Sequence, residues 1–177
     1  MMTARDSRFL RTIPLLLIVV LFCQFACGKI IYVDDDAAGA NDGTSWADAY
    51  VYLQDALADA DTADKPVEIR VAQGEYKPNE GLLVIPEKGW RDATFQLING
   101  VSLKGGYAGF GQSDPNTRDI ETYETILSGD VDSDDAYVSD PCDLFEEPTR
   151  RGNSRNVVTS RNTDATAVLD GVTIYTV

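Results

Sequence analysis

Leu97-Ile98-Asn99-Gly100-Val101-Ser102-Leu103 and Val168-Leu169-Asp170-Gly171-Val172-Thr173-Ile174 carry one pattern twice. Each has an apolar pair, then Asn or Asp, then Gly, then an apolar–hydroxyl–apolar triplet. The copies start 71 residues apart. A solenoid with coils averaging about 24 residues would set them three coils apart. Asn-Gly and Asp-Gly are also strong hairpin signals, because both central positions of a tight hairpin turn need positive φ. The echo alone therefore leaves two folds open: antiparallel hairpins in a small β-sandwich, or the corners of a parallel β-helix.

Outward from this pair the chain is mostly short β runs. In Val67-Glu68-Ile69-Arg70-Val71 apolar and charged residues alternate, as in a half-buried strand. Residues 29–33 form a first β run, and residues 94–97, 101–103, 125–127, 156–159 and 167–177 read as further strands. Residues 34–43, 77–92 and 129–155 read as loops, and the glycine-rich 105–111 as a turn. One helix is expected, over 45–60. Trp46, Tyr50, Leu53, Leu57 and Ala60 fall at steps of four, three, four and three, and Ser45 with Asp48 resembles a capping box.

The amino terminus reads as an export signal. Arg5, Arg8 and Arg11 precede an apolar run from Ile13 to Phe22, too short to span a bilayer. Ala26 and Gly28 offer small residues for cleavage before Lys29. The organisation expected is a signal peptide at 1–28, a strand and capping helix at 29–66, and the main β region at 67–177. Acylation of Cys27 as a lipoprotein and retention of an uncleaved signal anchor are the alternatives. The expected location is secreted or cell-surface, with no transmembrane span in the mature chain.

Composition limits the chemistry. The formal net charge is −14, and losing the arginine-rich leader makes the remainder more acidic. Such a surface repels phosphate backbones, so nucleic acid is not an expected partner. The chain has no histidine, which removes Ser-His-Asp and Cys-His catalysis and His-ligated zinc. Cys142 alone follows the leader, so an internal disulfide is excluded there.

Carboxylate oxygens suit Ca²⁺, and two acidic loops offer them. Asp130, Asp132 and Asp134 are the candidate metal ligands, spaced like the start of a calcium loop. An EF-hand is excluded, because Asp135 and Pro141 stand where it needs Gly and Glu. Asp34, Asp35, Asp36 and Asp42 form the second loop. Trp90, Tyr107 and Phe110 are candidates either for stacking on sugar rings or for anchoring loops.

The ordered set of segments resembles a known group. Tyr32-Val33-Asp34, Gly39 to Trp46, Leu53-Gln54-Asp55-Ala56-Leu57, Ile69 to Pro78, Thr94 to Tyr107, Thr125 to Asp130 and Asp164 to Gly171 are similar to the N-terminal part of secreted bacterial right-handed parallel β-helix proteins. These include pectate-lyase-like and polymorphic outer-membrane-protein-like members. The resemblance implies that the helix caps the first coil and that Ile69 with Val71, Phe95 with Leu97, and Val172 with Ile174 point into a narrow core. It implies either a non-catalytic scaffold or adhesion module or the front of a polysaccharide lyase. Polysaccharide or cell-surface components are the partners it implies. No residue matches the family's catalytic Asp, Arg and Lys groups, so no catalytic residue is assigned and Ca²⁺ is the one cofactor considered. The chain is expected to be the front of a longer product, and its last coil, uncovered, is expected to self-associate.

The leader reading predicts processing. Intact-mass analysis of the exported protein should give a chain beginning at Lys29 without lipid; a diacylated Cys27 would contradict it.

Overall fold

The structure, a computed structural model, describes residues 28–82 and 89–175. The expected signal peptide thus lies outside the described residues, apart from Gly28.

Among the described residues, nine strands form three parallel sheets. The first contains β1 (Lys29–Val33), β2 (Val67–Ala72), β5 (Val101–Tyr107) and β8 (Val168–Asp170), in that order. The second contains β3 (Gly74–Tyr76), β6 (Thr125–Ser128) and β9 (Thr173–Tyr175); the third pairs β4 (Phe95–Gln96) with β7 (Val158–Thr159). The named strands pair in parallel throughout, so Asn99-Gly100 and Asp170-Gly171 do not form the hairpins of an antiparallel sandwich. From β2 onward the chain visits the sheets in a fixed order, first, second and third, and then returns to the first beside the strand it left.

Period two in the sequence becomes columns in space. Ile31 lies beside Ile69, Ile69 beside Leu103, and Leu103 beside Leu169. The first three are buried and Leu169 packs against the same core. One residue along, Tyr32, Arg70, Lys104 and Asp170 form the outward column. There Glu68 accepts from Arg70 (2.7 Å) and Lys104 (2.6 Å), so neighbouring strands are tied outside as well as inside. In the second sheet Tyr76, Leu127 and Ile174 form the corresponding column.

Among the described residues one α-helix, α1 (Leu53–Thr62), packs across β1, β2 and β4. Leu53, Ala56, Leu57 and Ala60 are buried in the cluster that holds Ile31 and Ile69. At its far end Lys65 Nζ donates to the carbonyls of Ala60, Asp61 and Ala63, placing a cation where the helix dipole is negative. The helix is shorter than the stripe suggests. Residues 45–48 form a turn, Tyr50 bridges β1 in parallel at Val33, and Trp46 instead packs on Tyr32 and Tyr107 and donates Nε1–H to Asn116. Ser45 and Asp48 do bond reciprocally, Asp48 N–H to Ser45 Oγ and Ser45 Oγ–H to Asp48 Oδ2, but they close this turn rather than the helix.

Three further expectations change. The two echo segments do not lie three coils apart, because Ser102 pairs directly with Val168 on the adjacent strand. Gly105 and Gly106 continue β5 instead of forming a turn. Ile69, Val71 and Phe95 are buried as expected, while Ile174 is 48% exposed, being on the edge strand β9.

Leu53 is 2% exposed beneath the helix. Leu53→Ala should destabilise the protein by about 2–5 kcal/mol, the range for an emptied leucine site. Denaturant unfolding checks this; a loss below about 0.5 kcal/mol would show that the helix does not close the core.

Candidate functional site

The acidic loop after β6 is held against the body at many points. Asn79 Nδ2–H donates to Val131 O (3.1 Å), Arg91 Nε–H to Asn153 O (3.1 Å), and Ser154 Oγ–H to Ala93 O (2.6 Å). Within it the structure brings Asp130 and Asp134 together with Asp135, one carboxylate oxygen from each lying within 4.8 Å of the others. Asp132 is not in this group. Its carboxylate lies against Gly152, where a Cβ would be 2.5 Å from Oδ2. Asp135 is thus the residue that sequence spacing missed: the turn, with Ser133 at φ +56°, brings the next carboxylate round in place of Asp132.

The loop's own backbone uses this cluster. Asp130 Oδ1 accepts from Asp134 N–H (3.2 Å) and Oδ2 from Asp135 N–H (3.3 Å). Asp135 Oδ2 accepts from Asn153 Nδ2–H (2.8 Å). Three carboxylate oxygens are half or less of the six to eight that Ca²⁺ takes. The arrangement is therefore a partial oxygen shell, whose hydrogen bonds already explain its shape.

The second cluster, Asp34, Asp35 and Asp36, follows β1 directly. Asp34 is buried, accepting from Asp36 N–H (3.0 Å) and from Phe110 N–H (2.5 Å), and so pins the 108–111 turn to the end of β1. Burial nevertheless raises its pKa, these two bonds opposing the shift. Asp35 lies against Gly74, whose φ of +143° and missing side chain admit it: a Cβ there would be 2.6 Å from Oδ1. Although the residue as a whole is exposed, partial desolvation against the body, with the charges of Asp36 and Asp34, pushes its pKa up to about 6. Asp42, fully exposed, belongs to neither cluster; Thr44 hydrogen bonds hold its pKa below the ordinary value.

The aromatic candidates separate. Tyr107 is 7% exposed, packed between Trp46 and the guanidinium groups of Arg70 and Arg118, which makes it an anchor of the body. Phe110 is 43% exposed on the pinned turn, and Trp90 is half-buried in a short 3-10 turn, Trp90–Asp92. Cys142 is exposed and unbridged. Comparison with protein-family models, curated proteins and solved structures finds no match.

Asp35 yields a pH test. The folded chain holds this proton more tightly than the unfolded chain, so ionisation opposes folding. The resulting stabilisation is complete below the ordinary carboxylate pKa of 3.8 and is lost as pH rises through about 6. Asp35→Asn should raise Tm at about pH 7 and change it little at about pH 4. A lower Tm for the variant at neutral pH would show that the charged carboxylate serves a partner or a cation.

Proposed function

We propose that this chain is the N-terminal, non-catalytic part of an exported right-handed parallel β-helix protein, secreted or held at the cell surface as a scaffold or adhesion module. The observation that carries the reading is the repeated order of the three parallel sheets, each strand returning parallel beside its predecessor, with one register shift between Arg70 and Ala72. In such a fold α1 is the cap of the first coil, since its buried face covers the interior beside β1. Among the described residues no helix is long and apolar enough to cross a membrane.

A scaffold role is favoured over a lyase by the carboxylates. The two clusters are engaged largely in holding their own loops, through Asp34 to Phe110 and Asp130 to Asp134 and Asp135. The other edge of the stack supports assembly. Val168, Ile174 and Tyr175 are 38%, 48% and 48% exposed on β8 and β9, the outer strands of their sheets. This edge takes further strands, from more of the same protein or from a second copy.

Two measurements on the purified chain test the proposal. With polygalacturonate and Ca²⁺ at alkaline pH, no ultraviolet absorbance of an unsaturated uronate should appear; its appearance would establish the enzyme instead. Sedimentation across a salt series should show association increasing as salt screens the acidic surface. A species that stays monomeric at high salt would contradict assembly through the β8–β9 edge.

A further inference from the structure

Among the described residues, six of the eleven Lys and Arg side chains have a carboxylate partner. Lys29 bonds Asp59, Arg70 and Lys104 share Glu68, Lys77 lies by Glu75, Arg118 bonds Asp170, and Arg155 bonds Asp92. Lys65 is engaged with helix carbonyls, and Arg150 reaches the Ala136 carbonyl. Arg91, Arg151 and Arg161 have no carboxylate partner among the described residues, and Arg91 and Arg161 line one cleft of about 420 Å³ beside β4 and β7.

The cleft is built from the outward positions of these two strands. Phe95 and its partner Val158 pack toward the core, which leaves Thr94 and the paired Gln96 and Thr159 on the open side. These three lock one another: Thr94 Oγ1 and Thr159 Oγ1 lie 3.2 Å apart, and Thr159 Oγ1–H donates to Gln96 Oε1 (3.0 Å). The floor is therefore polar, satisfied and ordered. Arg91 is oriented by its Nε–H bond to Asn153 O, which leaves both Nη groups for the cleft. Asn156 adds an exposed side-chain amide to the lining. The one carboxylate in the wall, Asp92, is neutralised by Arg155 at 3.1 Å. Counting Arg91, Arg155 and Arg161 against Asp92, the local charge is positive on a chain whose formal charge is −14. Guanidinium groups offer paired N–H donors that match the oxygens of planar or tetrahedral oxyanions.

We infer that the open face of β4 and β7 holds an oxyanion site, in which Arg91 and Arg161 grip one carboxylate, sulfate or phosphate group above the Thr94–Gln96–Thr159 floor. This goes beyond the scaffold reading and does not depend on it. The anion is either a free inorganic ion or the charged group of a sugar. Asn156 and the open side of the cleft leave room for hydroxyl groups beside the charge.

Calorimetric titration of the purified protein with sulfate, phosphate, glucose 6-sulfate and glucose 6-phosphate tests it, with chloride balancing ionic strength. Saturable binding is expected, weakened at least about tenfold by Arg91→Gln/Arg161→Gln, since each lost bond to a charged group is worth that much. Arg151→Gln, an exposed arginine outside the cleft, should bind as the parent. Tighter binding of a sugar ester than of its free ion assigns the ligand to a sugar; equal binding assigns it to the free ion. The single variant Arg161→Gln, which removes no side-chain bond within the described protein, must also bind more weakly, so the test survives misfolding of the double variant. Absence of saturation beyond chloride, or unchanged binding by Arg161→Gln, would overturn the inference.

Discussion

In-register stacking of like side chains across parallel strands is the constraint on which the rest of this structure depends. Parallel strands cannot be joined by a tight turn, so each must be carried back around before it can pair. Between β1 and β2 the return runs through α1, and from β2 onward it includes the short strands of the other two sheets, so Ile31, Ile69, Leu103 and Leu169 end as neighbours although they are far apart in sequence. A slip of one residue would exchange this column with Tyr32, Arg70, Lys104 and Asp170, burying charge and exposing the core. The outward bonds of Glu68 to Arg70 and Lys104 reinforce the same register at partly exposed positions, where each ion pair alone contributes little.

Closure follows from that register. β1 is an edge strand of the first sheet, and its inward residues Ile31 and Val33 are covered by α1 through Leu53, Ala56 and Leu57. The long connections are tied back by single polar atoms: Asp34 takes the Phe110 amide, Asn79 reaches Val131, and Ser154 reaches Ala93. Loop insertions of this size then cost little, because chain-closure entropy grows only slowly with length and each loop is anchored near its ends. The same anchoring sets Arg91 at the cleft beside β4 and β7, through Asn153.

Much of this was legible where the physics is local. Alternation in Val67–Val71 identified Ile69 and Val71 as inward because strand side chains alternate faces wherever the strand lies. The helical stripe identified Leu53 and Leu57, but it also drew in Trp46, whose partners Tyr32, Tyr107 and Asn116 are set by tertiary contact, and Tyr50, which bridges β1 at Val33. The Asn-Gly and Asp-Gly echo misled for a related reason. Gly100 and Gly171 both adopt left-handed backbone, at φ +73° and +68°, so one local turn requirement wrote a similar sequence at two non-equivalent places. The acidic loops were visible as composition. Which carboxylates converge, Asp135 rather than Asp132 beside Asp130 and Asp134, depends on a turn that spacing does not encode. Arg91 and Arg161 line one cleft because β4 pairs with β7 and Arg91 is held to Asn153, contacts between segments far apart in sequence.

Methyl and amide NOEs on the isotopically labelled protein test the central claim most directly. Parallel in-register stacking predicts contacts linking Ile31 to Ile69, Ile69 to Leu103, and Leu103 to Leu169 in one unbroken series. Contacts pairing Leu97 with Ser102 across an Asn99-Gly100 hairpin, with the Ile69–Leu103 contact missing, would contradict it and restore the antiparallel sandwich.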